Sequence, residues 1–446
     1  GAKLKRIWQM ELCFTIGACL TGMLGMALLW IFCFERIDFT LYSCYNVQPF
    51  RSVSGKFTTE KKENRMAQST PAVHLPHRLS APCAFAGKNA VMLIAMVAAF
   101  ITSLIIPPDK AYIGYFDYKT LTSLFCVLAV VCALKNINFF YMLARKVVQL
   151  FKSARMSVLA LVYITFIGSM LIANDMALLT FLPLGYLVLT TTGKQRYMAF
   201  TFVMQNIAAN LGGMLTPFGN PQNLYLYSHF QIPTGEFMSI MLWPFVVSML
   251  LVTACCFLIQ PYALRVSDTR EERLPFVRTA LYLTLFLMTI LMIFRVLPIW
   301  LVLTAVVIGL LILDRKALTM VDYGLLATFV FFFIFSGNMS RLPAVRTFFS
   351  ELLEKNTLLT AVISCQFISN VPTAVLLAQF TDQYAALLRG VNIGGTGTLI
   401  ASLASLITFR EFTAHYREST KMYLGLFTLM NFGFLLILTL LCLAIG

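Results

Sequence analysis

Long apolar runs, separated by short polar segments, constrain this chain more than any other feature. A helix that crosses a bilayer needs about 20 mostly apolar residues, and several runs reach that length. Only 12% of the residues are charged, whereas a soluble domain carries about 25%. The runs do not alternate as the strands of an outer-membrane barrel do. We therefore predict an all-α polytopic membrane protein, and we exclude a soluble enzyme and a disordered chain.

Two of the apolar runs have the wrong length for a single span. The runs cover residues 12–33, 88–106, 119–134, 157–191, 197–227, 237–260, 277–294, 297–313, 323–338, 357–381, 392–409 and 421–445. The run 157–191 is too long for one crossing and short for two, and 357–381 carries Ser369, Asn370 and Pro372 at its centre. Non-helical backbone is tolerated at membrane depth only inside protein or beside a water-filled cavity. We therefore interpret both runs as re-entrant helical hairpins.

Basic residues between the runs indicate the orientation. Lys and Arg number 34, against 19 Asp and Glu, and the positive-inside rule places loops rich in Lys and Arg in the cytoplasm. With 135–156 cytoplasmic and both hairpins re-entrant, cytoplasmic segments collect 23 basic residues and external segments nine, while Lys88 and Lys119 lie at segment boundaries. The N-terminal residues 1–11 are then external. No basic cluster with base-stacking aromatics occurs in the sequence, which argues against nucleic acid as a partner.

The resulting layout predicts an inverted repeat. Each half has three spans, a hairpin and two further spans, and the second half runs through the membrane in the opposite sense, which is a common plan of secondary transporters. An Asn-x-Gly-Gly motif follows each hairpin, at 210–213 and 392–395. The predicted domains are an external N-terminus at 1–11, a first repeat at 12–260 with a flexible cytoplasmic insertion at 34–87, a cytoplasmic linker at 261–276, and a second repeat at 277–446.

Two further features concern the loops and the cysteines. Segment 138–152 reads as an amphipathic helix on the cytoplasmic face, with Phe139, Leu143, Val147 and Leu150 as its apolar side. Nine of the 11 cysteines lie inside apolar runs and none forms a CxxC pair. The sequence therefore supports neither a disulfide framework nor a zinc site.

Asp175 is the only ionisable residue between Ser157 and Thr191. A carboxylate at membrane depth is costly, so it is a functional candidate by default, as a cation ligand or a proton carrier. Asn174 beside it offers another ligand. The alternative is a hairpin tip that reaches interfacial water, where an aspartate costs little. We favour the functional interpretation because the flanking residues are wholly apolar.

The run 197–227 contains NIAANLGGMLTPFGNPQN at 206–223, which cannot form a plain helix. Proline removes a backbone donor, and glycine permits unwound backbone. An unwound centre exposes carbonyls that suit Na⁺, and it starts a half-helix whose free N–H groups suit an anion. The alternative is a kinked helix whose glycines serve close packing, but packing does not need the asparagines.

The second half repeats this pattern in the run 392–409, which begins with NIGGTGT. Three glycines and two threonines favour an unwound segment, and glycine packing is the alternative. At the preceding hairpin tip, Ser369, Asn370 and Thr373 can cap the following half-helix, and capping alone is the alternative there.

Both tips and both broken helices together form the predicted site. The substrate-binding set comprises Asn174, Thr216, Asn220, Asn223, Ser369, Asn370, Thr373, Gly395, Thr396 and Thr398. The coupling-ion set comprises Asn174, Asp175, Asn210, Gly212, Gly213, Gly219, Asn392 and Gly394. We predict no catalytic residue, no transition metal and no cofactor, and we expect Na⁺ or H⁺ as the coupling ion.

These motifs resemble those of the ion transporter superfamily, which includes citrate-transporter-like anion permeases, divalent anion–sodium symporters and arsenite efflux pumps. The resemblance covers roughly 88–445, and its motifs are at 123–146, 174–175, 212–223 and 369–373. It implies two inverted repeats, often in a homodimer with an elevator-like motion. Ser369, Asn370 and Thr373 match the family's Ser-Asn-Thr type of motif loosely, and Asn174-Asp175 replaces it outright. This departure favours the citrate-like or arsenite-pump branches.

We therefore predict a secondary active transporter of a small anion or oxyanion, coupled to Na⁺ or H⁺, in a bacterial-type inner (plasma) membrane. A Na⁺/H⁺ antiporter without an organic substrate is the main alternative, and Asp175 is its best support. A channel would need a continuous polar path, whereas the polar residues cluster at the two tips. A membrane-embedded enzyme would need a constellation of His, Cys or carboxylate groups, and the four histidines are scattered in loops.

Overall fold

A computed structural model describes residues 90–151, 153–261 and 274–445, and this part of the chain is helical with no β-strand. Six of its helices are long and apolar enough to cross a membrane. The helices are α1 (Ala90–Ile105), α2 (Tyr118–Asn136), α3 (Phe139–Gln149), α4 (Ala154–Ile172), α5 (Asn174–Thr191), α6 (Met198–Gly212), α7 (Pro221–His229), α8 (Thr234–Phe257), α9 (Phe276–Ile293), α10 (Ile299–Leu313), α11 (Arg315–Thr319), α12 (Tyr323–Ser340), α13 (Pro343–Ile368), α14 (Asn370–Leu377), α15 (Tyr384–Ile393), α16 (Leu403–His415) and α17 (Thr420–Ile445). The predicted all-α membrane class is confirmed.

Some predicted segments lie outside the described residues. They are the N-terminus at 1–11, the first apolar run at 12–33, the insertion at 34–87 and most of the linker at 261–276. The inverted orientation of the two repeats stays a prediction.

The first hairpin consists of α4 and α5, which pack against each other and are joined at Ala173. Ala173 has φ 64° and ψ 150°, a region that residues other than glycine rarely occupy. The chain reverses there, and the Asn174 Oδ1 atom accepts a hydrogen bond from the Asp175 N–H at 2.9 Å. The arms of 19 and 18 residues are long for a re-entrant hairpin, and re-entry stays a prediction.

The second hairpin has the same tip geometry. Ser369 has φ 75° and ψ 158°, and the Asn370 Oδ1 atom accepts from the Val371 N–H at 2.9 Å. Its first arm starts after Asn356, where α13 is interrupted by non-helical backbone, and its second arm is the eight-residue α14. The two hairpins therefore share a backbone turn and an asparagine whose side-chain oxygen accepts a hydrogen bond from the next backbone N–H.

Both helices that follow the hairpins are broken. In the first, α6 ends at Gly212 and α7 starts at Pro221, since proline fits the first turn of a helix. In the second, α15 ends at Ile393 and α16 starts at Leu403. The predicted bounds 392–409 need correction, because α15 begins already at Tyr384. The charged Arg389 hid this start from a hydropathy pattern.

The amphipathic segment 138–152 forms a helix, and the stripe that this helix packs against the protein differs from the predicted apolar side, whose contact with the membrane stays a prediction. Helix α3 is present, but it buries Phe140, Ala144 and Val148, whereas Leu143 and Leu150 are exposed. The buried residues follow one another at four-residue spacing, so they form a single stripe. A small alanine at the centre of that stripe made it less conspicuous than the leucine stripe.

The helices pack in two groups. Helix α1 packs along α12, helices α9, α10 and α11 pack against α2, and a smaller contact between α2 and α12 joins these six helices into the first helix group. Helices α4–α8 and α13–α17 contact one another extensively and form the second helix group, which contains both hairpins and both broken helices. Contacts between the groups are sparser, and α2 and α12 make most of those on the side of the first group.

Candidate functional site

A cavity of about 90 Å³ lies where the two hairpin tips meet the second halves of the broken helices. Helices α5, α7, α14 and α16 all begin at its wall. A helix N-terminus presents unpaired N–H groups and about half a positive charge. Four positive helix ends of the second group therefore surround one cavity, and residues of α1 and α12 from the first group complete the wall.

The tip of the first hairpin contributes an asparagine and an aspartate. Asn174 is buried, and its Nδ2 atom donates to the Asn210 Oδ1 atom at 3.2 Å, which fixes the tip to α6. The Asp175 Oδ1 atom is buried and has no hydrogen-bond partner among the described residues. A buried carboxylate oxygen without a donor is costly, so this atom marks a position where a proton or a cation would be stabilised.

The tip of the second hairpin is fastened to the unwound segment before α16. The Asn370 N–H donates to the Ala401 carbonyl at 3.0 Å, and the Ser369 hydroxyl donates to the same carbonyl at 3.3 Å. The Thr373 hydroxyl donates to the Ser369 carbonyl at 2.7 Å. Thr373 thus stabilises the turn, while Ser369 and Asn370 line the cavity.

The first unwound segment is held by one amide. The Asn223 Nδ2 atom lies within hydrogen-bond distance of the carbonyls of Gly213, Met214 and Thr216, at 3.2, 3.3 and 3.4 Å. A Cβ atom at Gly213 would lie 2.8 Å from the Gly219 carbonyl oxygen, so this close approach needs glycine. Because the Asn223 amide already lies against these carbonyls, its hydrogen bonds stabilise the unwound segment between α6 and α7.

The second unwound segment is held by Gln366 of the hairpin. Its Nε2 atom donates to the carbonyls of Gly394 and Thr396 at 3.0 and 3.1 Å, and its Oε1 atom accepts from the Thr398 N–H at 2.9 Å. The Thr398 hydroxyl returns a hydrogen bond to the Gln366 carbonyl. Sequence reasoning missed Gln366, although a glutamine inside the apolar arm of a hairpin was a usable signal.

A buried cluster of amides joins the two halves of the chain. The Asn392 Oδ1 atom accepts from Asn220 at 3.3 Å and from Gln222 at 3.4 Å, and its Nδ2 atom donates to the Asn223 Oδ1 atom at 2.6 Å. A second link is the Ser402 hydroxyl, which donates to the Asn210 Oδ1 atom at 2.7 Å. Polar groups buried in this way rigidify a core when they are satisfied.

The structure separates the predicted site residues by location. Those that line the cavity are Asn174, Asp175, Ser369 and Asn370. Those in the amide cluster behind it are Asn210, Asn220, Asn223 and Asn392. Those in the backbone turns and breaks, away from the cavity wall, are Gly212, Gly213, Thr216, Gly219, Thr373, Gly394, Gly395, Thr396 and Thr398. Lining residues that sequence reasoning did not select include Gln222, Asp322 and Ser402.

The charged side chains that line the cavity are acidic. Among the described residues that line it, Asp175 and Asp322 are the charged ones, and none is Lys, Arg or His. An anion placed there would meet favourable helix ends but unfavourable carboxylates. A bound cation, or a proton on a carboxylate, would remove that repulsion.

Comparison with known proteins matches residues 84–390 to a family model described as citrate transporter. This range contains both hairpins and the first broken helix. An uncharacterized transporter of Methanocaldococcus jannaschii is 28% identical over 336 residues, which is 75% of this chain and 92% of the relative. The inner membrane protein YbiR of Escherichia coli is 28% identical over 333 residues, which is 73% of this chain and 88% of the relative.

Proposed function

The chain belongs to the citrate transporter family, and from this premise we propose that it moves a small anion or oxyanion across the membrane in a cycle coupled to Na⁺ or H⁺. The family resemblance drawn from the sequence motifs is confirmed. The chain is an integral membrane protein with several apolar helices, and we propose a bacterial-type inner membrane as its location. The substrate class is citrate-like or another carboxylate, or an arsenite-like oxyanion.

The convergence of four helix N-termini on one cavity carries this proposal. Helices α5, α7, α14 and α16 each have at least eight residues and begin at the cavity wall. The positive ends of their dipoles suit an anion without any basic side chain. The hydroxyl of Ser369 and the amide of Asn370 add neutral polar contacts. Small oxyanions present several acceptor oxygens, which is the chemistry that such a cavity would recognise.

The two carboxylates in the same cavity support cation coupling. Asp175 and Asp322 disfavour a bare anion, and the Asp175 Oδ1 atom has no donor among the described residues. Cation binding or protonation at Asp175 would turn a repulsive cavity into an attractive one. The anion and the cation would then bind together more tightly than either alone, which is the thermodynamic requirement for symport.

The division into two helix groups supports transport by alternating access. The tips and broken helices move together because the amide cluster joins them inside the second group. The cavity lies at the border with the first group. A displacement of one group along the other would carry the cavity from one face of the membrane to the other.

A Na⁺/H⁺ antiporter is the second candidate. The specific observation in its favour is the acidic charge of the cavity, since an antiporter needs carboxylates and no anion site. The four helix ends favour the anion transporter, because an exchange of cations alone has no use for them.

Uptake into proteoliposomes tests the proposal. The purified protein is reconstituted, and uptake of labelled citrate, succinate, phosphate and arsenite is measured with and without Na⁺ and pH gradients. We expect accumulation of at least one anion that depends on a Na⁺ or a proton gradient. Exchange of Na⁺ for protons without uptake of any anion would establish the antiporter instead.

A further inference from the structure

Asp322 lines the same cavity as the two hairpin tips. It precedes α12 in the first helix group, and its Oδ1 atom caps that helix by accepting from the Leu325 N–H at 3.0 Å. Asp175 and Gln222 belong to the second group. Carboxylates from both helix groups therefore face one small cavity.

Two buried acceptor atoms of residues that line this cavity have no hydrogen-bond donor among the described residues. The Gln222 side chain is 1% exposed, and its Oε1 atom has no hydrogen-bond partner among the described residues. The Nε2 atom of that amide points to Asn392, which leaves the oxygen unused. The Asp175 Oδ1 atom is also buried and unpartnered. Buried acceptors are costly without a donor, and a set of oxygen ligands with two negative charges suits a hard cation.

We propose that Asp322 completes a cation site with Asp175 and Gln222, and that it does so on one side of the membrane only. This inference rests on the proposed function, because it assigns a new ligand to the coupling cation. The bound species is a monovalent cation, Na⁺ or a proton. Asp322 belongs to one helix group and the other two ligands belong to the second, so a displacement of the groups separates them. Asp322 then holds the cation in the state described by this structure and is absent from the site in the opposite state.

The side of the membrane follows from the helix ends. Asp322 precedes the start of α12, and Val91 and Met92, near the start of α1, line the same cavity. The segments that precede these two helices, 34–87 and 314–322, are those that the charge pattern predicts to be cytoplasmic. Asp322 therefore captures or releases the cation at the cytoplasmic face.

Cation binding to the purified protein, without any anion, tests the site directly. The unfolding temperature in neutral detergent is followed against NaCl, with choline chloride as the salt control, and separately against pH without Na⁺, since a cation that binds the folded state raises it. The Asp322→Asn variant keeps a capping oxygen but loses the charge. We expect it to weaken apparent Na⁺ affinity, or proton affinity in the pH arm, by roughly tenfold.

Asp314→Asn is the matched control, because Asp314 likewise caps a helix, α11, through the Ala317 N–H at 3.2 Å, and does not line the cavity. It should bind the cation like the wild type. If Asp322→Asn fails to fold, Asp322→Ser repeats the test with another capping residue. Unchanged cation affinity in a folded Asp322 variant would overturn the inference.

Sidedness is tested in inside-out and right-side-out membrane vesicles. Asp322→Asn should raise the half-saturating cation concentration about tenfold when the cation is varied on the cytoplasmic side, and leave it unchanged on the other side. An equal rise from both sides would overturn the one-sided role. Failure of all anion uptake with Asp322-dependent cation binding intact would contradict the proposed function and leave the cation site standing.

Discussion

At the scale of single residues, Asp175 is the group on which coupling depends. Asp175→Asn keeps the size of the side chain and removes its charge, so we expect cation-dependent uptake to fall about tenfold or more, because a contact with a charged group is worth about 1.5–3 kcal/mol. Asp117→Asn is a suitable control, since Asp117 caps α2 through the Thr120 N–H and does not line the cavity. Full ion dependence of uptake by the Asp175 variant in liposomes would show that this aspartate is only a solvated tip residue.

Two asparagine variants distinguish a residue that lines the binding cavity from a residue that supports the site from behind. Asn370 lines the cavity, whereas Asn220 lies behind it and bridges the Asn210 carbonyl and Asn392. We expect Asn370→Ala and Asn220→Ala both to fold and to raise the KM for the anion. The Asn220 variant should also lose about 1–3 kcal/mol of stability, because it leaves buried partners unsatisfied. Uptake kinetics and thermal unfolding in detergent measure the two effects, and an unchanged KM in the Asn370 variant would contradict its place in the site.

The sequence was a good guide to the motifs that form the site, but a poorer guide to the role of each side chain. Asn174, Asp175 and Asn370 stand out because polar residues are rare in apolar runs. Gln366 and Asp322 were not selected, since their partners are distant in sequence: Gln366 bonds to the segment around Thr396, and Asp322 lines the cavity together with the tip of the first hairpin. Spacing in the sequence does not show such contacts.

At the scale of elements, the hairpin tips hold an unfavourable backbone conformation. Ala173 and Ser369 both have positive φ with extended ψ, which costs about 1–3 kcal/mol for a residue other than glycine. We expect Ala173→Gly to stabilise the protein by about 1 kcal/mol after the entropic cost of glycine. Ala177→Gly, one turn into α5, should destabilise it by about 1 kcal/mol. Unfolding in detergent compares the two, and equal destabilisation would contradict the strained turn.

Helices whose sequences mix charged and apolar residues were the hardest to predict. The stretch 339–357 lies between the apolar runs 323–338 and 357–381 and therefore reads as a loop, yet α13 starts at Pro343 and runs to Asn356 before the hairpin arm. Its buried Val345, Phe349 and Leu353 follow a four-residue spacing, which the basic residues obscured. The purely apolar runs within the described part of the chain, by contrast, gave helices close to the expected bounds, since length alone constrains them.

At the scale of the whole molecule, the topology is the next prediction to check. The charge pattern places 192–197 in the cytoplasm and 228–236 outside. In a cysteine-free background, we expect Gln231→Cys to react with an impermeant maleimide added to intact cells and Lys194→Cys to be protected. Reaction of the cysteine at 194 from outside would contradict the cytoplasmic position of 192–197 and the predicted re-entry of the first hairpin from that side.

A structure with a transported anion bound tests the central claim most directly. The anion found by the uptake panel is added at saturating concentration, with the coupling cation, to the protein in lipid nanodiscs, and its position is determined by cryo-electron microscopy. We predict density between the two hairpin tips, within hydrogen-bond distance of backbone N–H groups at the starts of α7 or α16, with the cation beside Asp175. An anion held instead by a loop arginine, such as Arg341 beside Asp109, would contradict the account.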